Sequence, residues 1–276
     1  MRQLINCKGQ LIDLSIPKVM GILNCTPDSF YDGGKYHSDA LLLNQVEKML
    51  SEGATFIDVG AYSSRPNAQN ISEHEELKRS LNAVQLIVSK FQEALISVDT
   101  FRSKIAVETI NAGACMINDI SGGSLDKNMF ATIAKLQVPY VLMHMKGTPK
   151  TMQNNPKYDD IIYEMRLYFS EKIANLRALG VNDLILDVGF GFGKTIENNY
   201  TLLKHLDLFK CFDLPILAGL SRKSMLYKVL ENTPEEALNA TTIVNTIALQ
   251  NGASILRVHD VKEALETIKI LQQLPK

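Results

Sequence analysis

Acids, amides and bases recur in this chain at one kind of place, the end of a short apolar run. Asn24 closes VMGILN, Asp58 lies in ATFIDVG, Asp99 in ALISVDT and Asn118 in ACMIND. His144 closes PYVLMH, Asp187 lies in DLILDVG, Ser221 and Lys223 follow PILAGL, and Arg257 and His259 belong to SILRVH. Asp99, Asn118, Asp187 and Lys223 suit the edge of a flat heterocycle. An ionised carboxylate only accepts hydrogen bonds, an ammonium only donates, and an amide does both. Asn24, Arg65, Arg257 and His259 suit a phosphate-bearing group. The guanidinium fork matches phosphate oxygens, and an amide oxygen can give one ligand to Mg²⁺, which takes few protein ligands beside phosphates and waters. Each residue alone has a duller account. Asp99-Thr100 would cap a helix starting near Ser103, Asn118-Asp119 would make a turn, and Arg257 and His259 would pair with neighbouring carboxylates. The whole set at run ends is poorly explained by coincidence.

The elements that must carry these groups follow from the same runs. All eight are near-continuously apolar, the pattern of strands buried on both faces. Amphipathic helices alternate with them. Leu42, Val46, Met49 and Leu50 make one face, stopped by Gly53. Ile162, Met165, Phe169, Ile173 and Leu176 make another, stopped by Gly180, and Val261, Leu265, Ile268 and Leu271 make the last. Eight β/α units predict one α/β chain folded as a single (β/α)8 TIM barrel, with the strand-end residues in one mouth. A doubly wound open sheet is the alternative. Residues 1–17 are expected to form a β-hairpin, turning at Lys8-Gly9, that caps the barrel floor, and 18–276 the barrel itself.

Composition narrows the function class. Of 276 residues, 46% are apolar and 21% charged, with a net charge of −1, so there is no basic field for nucleic acid. Cysteines 7, 25, 115 and 211 form no C-x-x-C pair, which argues against zinc or a disulfide framework and points to a reducing, cytoplasmic setting. No apolar stretch is long enough to span a membrane. The GFGFGKT segment, 189–195, falls one residue short of a phosphate-binding P-loop, because three residues rather than four separate Gly189 from Gly193. The five histidines lack zinc-site spacing.

The segments MGILNCTPDSFYDGG, FIDVGAYSSRPNA, ISVDT, INDISGG, LMHMKGTPKTMQ, LDVGFGFGKT, LAGLSRKSML and RVHD, between Val19 and His259, together resemble the dihydropteroate synthases. N-x-T-P-D-S-F followed by D-G-G is the most specific of them. The resemblance implies small-molecule substrates: 6-hydroxymethyl-7,8-dihydropterin diphosphate and 4-aminobenzoate, joined to 7,8-dihydropteroate with release of diphosphate. It implies that Asp99, Asn118, Asp187 and Lys223 hold the pterin and that Asn24 binds Mg²⁺. Arg257 and His259 would hold the diphosphate, with Arg65 and Asp32 closing from two loops. Phe30, Pro66, Phe192, Ser64 and Ser221 would frame the aminobenzoate, where sulfonamides compete. A homodimer through the last helices is also implied. Departures from the family pattern are Cys25, Ala61-Tyr62, Ser64, Asn67 and Val188, and those between 61 and 67 bear on the second loop. The expected chemistry is dissociative, with positioning and charge stabilisation doing most of the catalysis. Two rivals are a methyltetrahydrofolate methyltransferase on a similar barrel and a non-catalytic pterin-binding paralogue. Neither needs the diphosphate groups that this chain retains.

Overall fold

The computed structural model describes residues 3–25, 35–62, 71–149, 151–152 and 156–274, with only the backbone of 35–38. Each of the eight apolar runs forms a strand: β3 (Lys18–Asn24), β4 (Phe56–Gly60), β5 (Leu95–Asp99), β6 (Met116–Asp119), β7 (Tyr140–Met143), β8 (Leu184–Asp187), β9 (Ile216–Ala218) and β10 (Ile255–Val258). All neighbours are parallel, and β10 pairs with β3 to close the barrel. The open-sheet alternative is therefore excluded.

The near-continuous runs are two interleaved stripes, because successive side chains on a strand face opposite ways. Val19, Ile57, Ile96, Ile117, Leu142, Leu186, Ile216 and Leu256 join the core shared with the helices. Met20, Phe56, Leu95, Met116, Val141, Ile185, Leu217 and Ile255 form a second cluster inside the barrel. Two residues further along the same inward stripe stand Asp58, Ser97, Asn118, Asp187 and Arg257.

Two antiparallel strands precede the barrel, β1 (Leu4–Cys7) and β2 (Gln10–Asp13). Lys8 (φ 54°) and Gly9 (φ 81°) make the expected two-residue turn, both left-handed as such a turn requires. Ile5, Cys7, Ile12 and Leu14 from this hairpin enter the inner cluster, touching the beginnings of the barrel strands.

The helices are α1 (Lys35–Ser51), α2 (Glu73–Lys90), α3 (Ser103–Asn111), α4 (Met129–Leu136), α5 (Ile161–Ala178), α6 (Ile196–Lys204), the single turn α7 (Ser224–Tyr227), α8 (Leu238–Gln250) and α9 (Val261–Leu271). A 3₁₀ segment, Leu206–Phe212, follows α6. Three start on side-chain caps: Ser72, Asp160 and Thr195 accept from Glu75, Tyr163 and Asn198 amides at 3.2, 3.0 and 3.2 Å. α5 buries Ile161, Met165, Phe169 and Leu176, each worth roughly 1.5–3 kcal/mol of transfer free energy. Gly180, at φ +80°, lies just past its end, as the sequence requires.

Candidate active site

The register brings four strand ends to one level: Asn24 is opposite Gly60, Gly60 opposite Asp99, and Asp99 opposite Asn118. Gly60 leaves a gap between two polar tips. A Cβ there would stand 3.7 Å from Asn24 Oδ1 and 3.9 Å from Asp99 Oδ2. Asp58, two residues lower on β4, is fully buried.

Arg257 enters this level from β10. Its Nε donates to Asp58 Oδ2 at 2.6 Å and its Nη2 to Asp99 Oδ2 at 2.8 Å. Asn118 Nδ2 donates to the same Asp58 oxygen at 3.0 Å. That bond orients the amide, since Asp58 can only accept, and it leaves Asn118 Oδ1 and Asp58 Oδ1 without partners among the described residues. Burial raises the Asp99 carboxyl to about 7, against the pull of the Arg257 charge. Burial also works against the Arg257 charge, but Asp58 and Asp99 outweigh it and hold the guanidinium protonated beyond its ordinary range. The sequence placed Arg257 with a phosphate group and Asp99 with a ring edge; the structure joins the two groups through this one guanidinium.

The other side of the mouth is built by Asp187 and Lys223. Asp187 Oδ1 accepts from Gly189 N at 2.7 Å, and burial raises its carboxyl while Lys223 pulls it back. Lys223 Nζ donates to the Phe190 carbonyl and lies 4.4 Å from the Phe192 ring centre. Burial brings its ammonium down to about 8, with Asp187 opposing.

The segments after β9 and β10 are tied together. Ser221 Oγ meets His259 Nδ1 at 3.0 Å and accepts from the His259 amide at 3.2 Å. Arg222, at φ +54°, forks onto Asp260 at 3.0 and 2.7 Å. Successive side chains therefore diverge, with Arg222 on Asp260 and Lys223 against the Phe190 loop.

Several duller readings fail or move to other residues. Asp99 caps no helix; the Ser103 amide donates instead to Asp126 Oδ2 at 2.7 Å. The turn after β6 belongs to Asp119, which accepts from Ser121 N, Ser121 Oγ, Gly123 N and Tyr140 OH at 2.7, 2.7, 2.8 and 2.7 Å. His144 joins a buried aromatic group, edge-on to Tyr168 at 4.8 Å, and burial lowers it to about 2. Of the departures, Cys25 is a thiol that burial raises to about 12, and Tyr62 packs edge-on against Phe101 at 5.2 Å. Phe30, Asp32, Ser64, Arg65, Pro66 and Asn67 lie outside the described residues. Sequence reasoning gave Asp58 no role, although its position at an apolar run's end carried the same signal as Asp99. It also passed over Lys194, hidden by the near-miss to a P-loop.

A closed barrel with carboxylates, an amide and two half-buried cations around one mouth has the donors and acceptors that suit a polar heterocycle. The family described as "Pterin binding enzyme" matches residues 20–259. The dihydropteroate synthase of Escherichia coli strain K12 is 45% identical over 96% of this chain and 94% of its own. Among solved structures, the Yersinia pestis dihydropteroate synthase in complex with a sulfonamide drug superposes with a TM-score of 0.91, at 42% identity over 98% of each chain. The Xanthomonas albilineans dihydropteroate synthase with 4-aminobenzoic acid superposes at 0.92, with 34% identity over 100% of each chain. The chain belongs to the pterin-binding enzymes and, within them, to the dihydropteroate synthase family, transferases of folate synthesis. The methyltransferase rival falls with this finding.

Proposed function

We propose that this chain runs its family's reaction in the mouth just described, joining 6-hydroxymethyl-7,8-dihydropterin diphosphate to 4-aminobenzoate and releasing diphosphate. The observation that carries the residue assignment is the Arg257 bridge, which puts a cation within reach of Asp58 and Asp99 in a buried setting. Asp99, Asn118, Asp187 and Lys223 hold the pterin edge. The unpartnered Asn118 Oδ1 supports this reading, as does the acceptor acid Asp187 acting on the donor Lys223 on the other side of the mouth. Arg257 and His259 take the diphosphate, joined by Asp32 and Arg65 from the stretches of sequence that follow β3 and β4. Phe30, Ser64, Pro66, Phe192 and Ser221 frame the aminobenzoate.

The chemistry follows from these charges. The leaving diphosphate departs from an exocyclic CH₂ before the aryl amine bonds, and the electron-rich ring carries the positive charge. Asp99, helped by Asp187, stabilises that charge, while Arg65, Arg257 and His259 stabilise negative charge on the departing oxygens. The arylammonium then loses its proton to water or diphosphate, so no side chain need be a strong base.

A bound Mg²⁺ would supply further positive charge against the diphosphate. Among the described residues no three His, Cys, Asp or Glu converge on one point. The Asn24 amide oxygen beside the side-chain-free Gly60 suits a metal that draws its other ligands from phosphate and water, and Asn24 is the residue that would hold it.

Four further readings accompany this one. Residues 1–17 act as a floor cap for the barrel of 18–276, supported by the apolar cluster that the two share. The setting is cytoplasmic; no helix among the described residues is long and apolar enough to cross a membrane. The protein is a homodimer, with exposed Ile243 on α8 and Ile270 on α9 as candidate contacts. Sulfonamides would compete for the aminobenzoate site, as the Yersinia pestis complex suggests. The direct test is diphosphate release from the pterin substrate with Mg²⁺, with and without 4-aminobenzoate. Release that ignores the amine, or never occurs, rejects the assignment.

A further inference from the structure

We propose that Lys194 is a positioning residue for Lys223, acting through the 189–193 turn; this rests on the reading of Lys223 as a pterin-edge donor. The GFGFGK segment has the look of a phosphate loop, yet its lysine points inward and is 4% exposed. Lys194 Nζ donates to the carbonyls of Gly189, Phe192 and His144 at 2.9, 2.9 and 3.1 Å, and it lies 3.1 Å from His144 Nδ1. Three protons meet three carbonyl oxygens converging on one buried point. Without a cation there, those oxygens would repel one another and lose their shared charged donor.

Drawing Gly189 O and Phe192 O to the same nitrogen doubles the turn that Phe192 N already closes on Gly189 O at 3.1 Å. The far side of this turn is the Lys223 seat. Phe190 presents its carbonyl to Lys223 Nζ, and Phe192 lays its ring 4.4 Å from that ammonium. Gly191 allows the approach, since a Cβ there would come 3.1 Å from Lys223 Cδ. The back of the turn is equally constrained. A Cβ on Gly189 would stand 2.2 Å from His144 O, and one on Gly193 2.6 Å from Lys146 O. The loop is thus held between the segment after β7 and Lys223, and Lys194 is the pin inside it. Burial draws the Lys194 ammonium down to about 7 while Asp187 supports its charge, so the pin is held by those carbonyls and not by solvent.

The test is a double-mutant cycle in the full-length protein using Lys194→Met, Lys223→Met and the pair. The readout is calorimetric affinity for 6-hydroxymethyl-7,8-dihydropterin diphosphate without 4-aminobenzoate. Each single variant should weaken binding about tenfold, the effect of one charge-assisted hydrogen bond. The pair should be no more than about threefold weaker than Lys223→Met alone, because both act through one contact. Lys194→Gln, which keeps a donor, should fall between wild type and Lys194→Met; if the methionine variant does not fold, the glutamine variant replaces it in the cycle. Wild-type affinity in Lys194→Met, or penalties that multiply in the pair, overturns the inference. Wild-type affinity in Lys223→Met overturns the pterin-edge reading itself and this inference with it.

Discussion

The barrel interior has two storeys built on the same strands. The lower, with Met20, Phe56, Leu95, Met116, Val141, Ile185, Leu217 and Ile255, is apolar and closed against the hairpin. The upper, two residues along, holds Asp58, Asn118, Asp187 and Arg257 and opens on Asn24, Asp99 and Lys223. The backbone is the same in both, so the contrast lies wholly in side chains. The lower storey is stabilised by removing apolar surface from water. The upper storey buries charge, which costs free energy unless each group is paired, and its pairs are few and shared. The lower storey therefore supplies stability that the upper one spends on a charged, partly unsatisfied mouth.

That contrast can be broken in order of expected effect. Phe56→Ala, in the lower storey, should cost roughly 4 kcal/mol of stability by leaving a cavity under the polar layer, read by urea unfolding. The kcat/KM of the molecules that remain folded should stay close to wild type; a loss there as large as the stability loss would erase the division. Arg257→Ala should cost about 3 kcal/mol, because the buried Asp58 carboxyl then has only Asn118 left as a described partner. Unlike Phe56→Ala, it should also weaken binding of the diphosphate substrate, and unchanged calorimetric affinity would contradict the role given to Arg257.

Asp99→Asn should lower turnover by at least ~10²-fold, the scale of losing one preorganised charge facing the transition state. Wild-type rates in this variant would remove Asp99 from the mechanism. The same carboxyl sets a pH effect. The folded protein keeps its proton up to about 7, whereas the unfolded chain releases it near 3.8. Between those values unfolding releases a proton, so stability contributed by Asp99 is full below about 3.8 and is lost as pH rises through about 7. Asp99→Asn should flatten the stability profile across this window, and an unchanged slope would show that another group sets it. Smallest is Arg222→Ala, which opens the fork to Asp260 at the partly exposed rim and should cost about 1 kcal/mol in thermal unfolding. An effect rivalling Arg257→Ala would mean that the rim, not the buried bridge, holds the upper storey together.

Much of this was legible in the residues. Eight buried parallel strands announce themselves as apolar runs, and a polar residue at the end of such a run has few places to go except the mouth. Asn24, Asp99, Asn118, Asp187 and Lys223 were found in this way. Pairing was not legible. Asn118 and Asp119 are adjacent, yet one meets Asp58 in the barrel and the other stitches a turn outside it, and no local pattern separates two buried polar neighbours. Lys194 was masked for a related reason, since glycine spacing describes the loop but not which way its lysine turns.

By itself, the order of residues determined the strands, the helices and the level at which chemistry would gather, because these depend on periods of two and about 3.6 that neighbours along the chain set. Only the closed barrel decided which charge meets which. Arg257 reaches Asp58 and Asp99 from 199 and 158 positions away because β10 lies beside β3 when the sheet shuts. The strength of an ion pair depends on distance and burial in space, and neither is written in spacing along the chain.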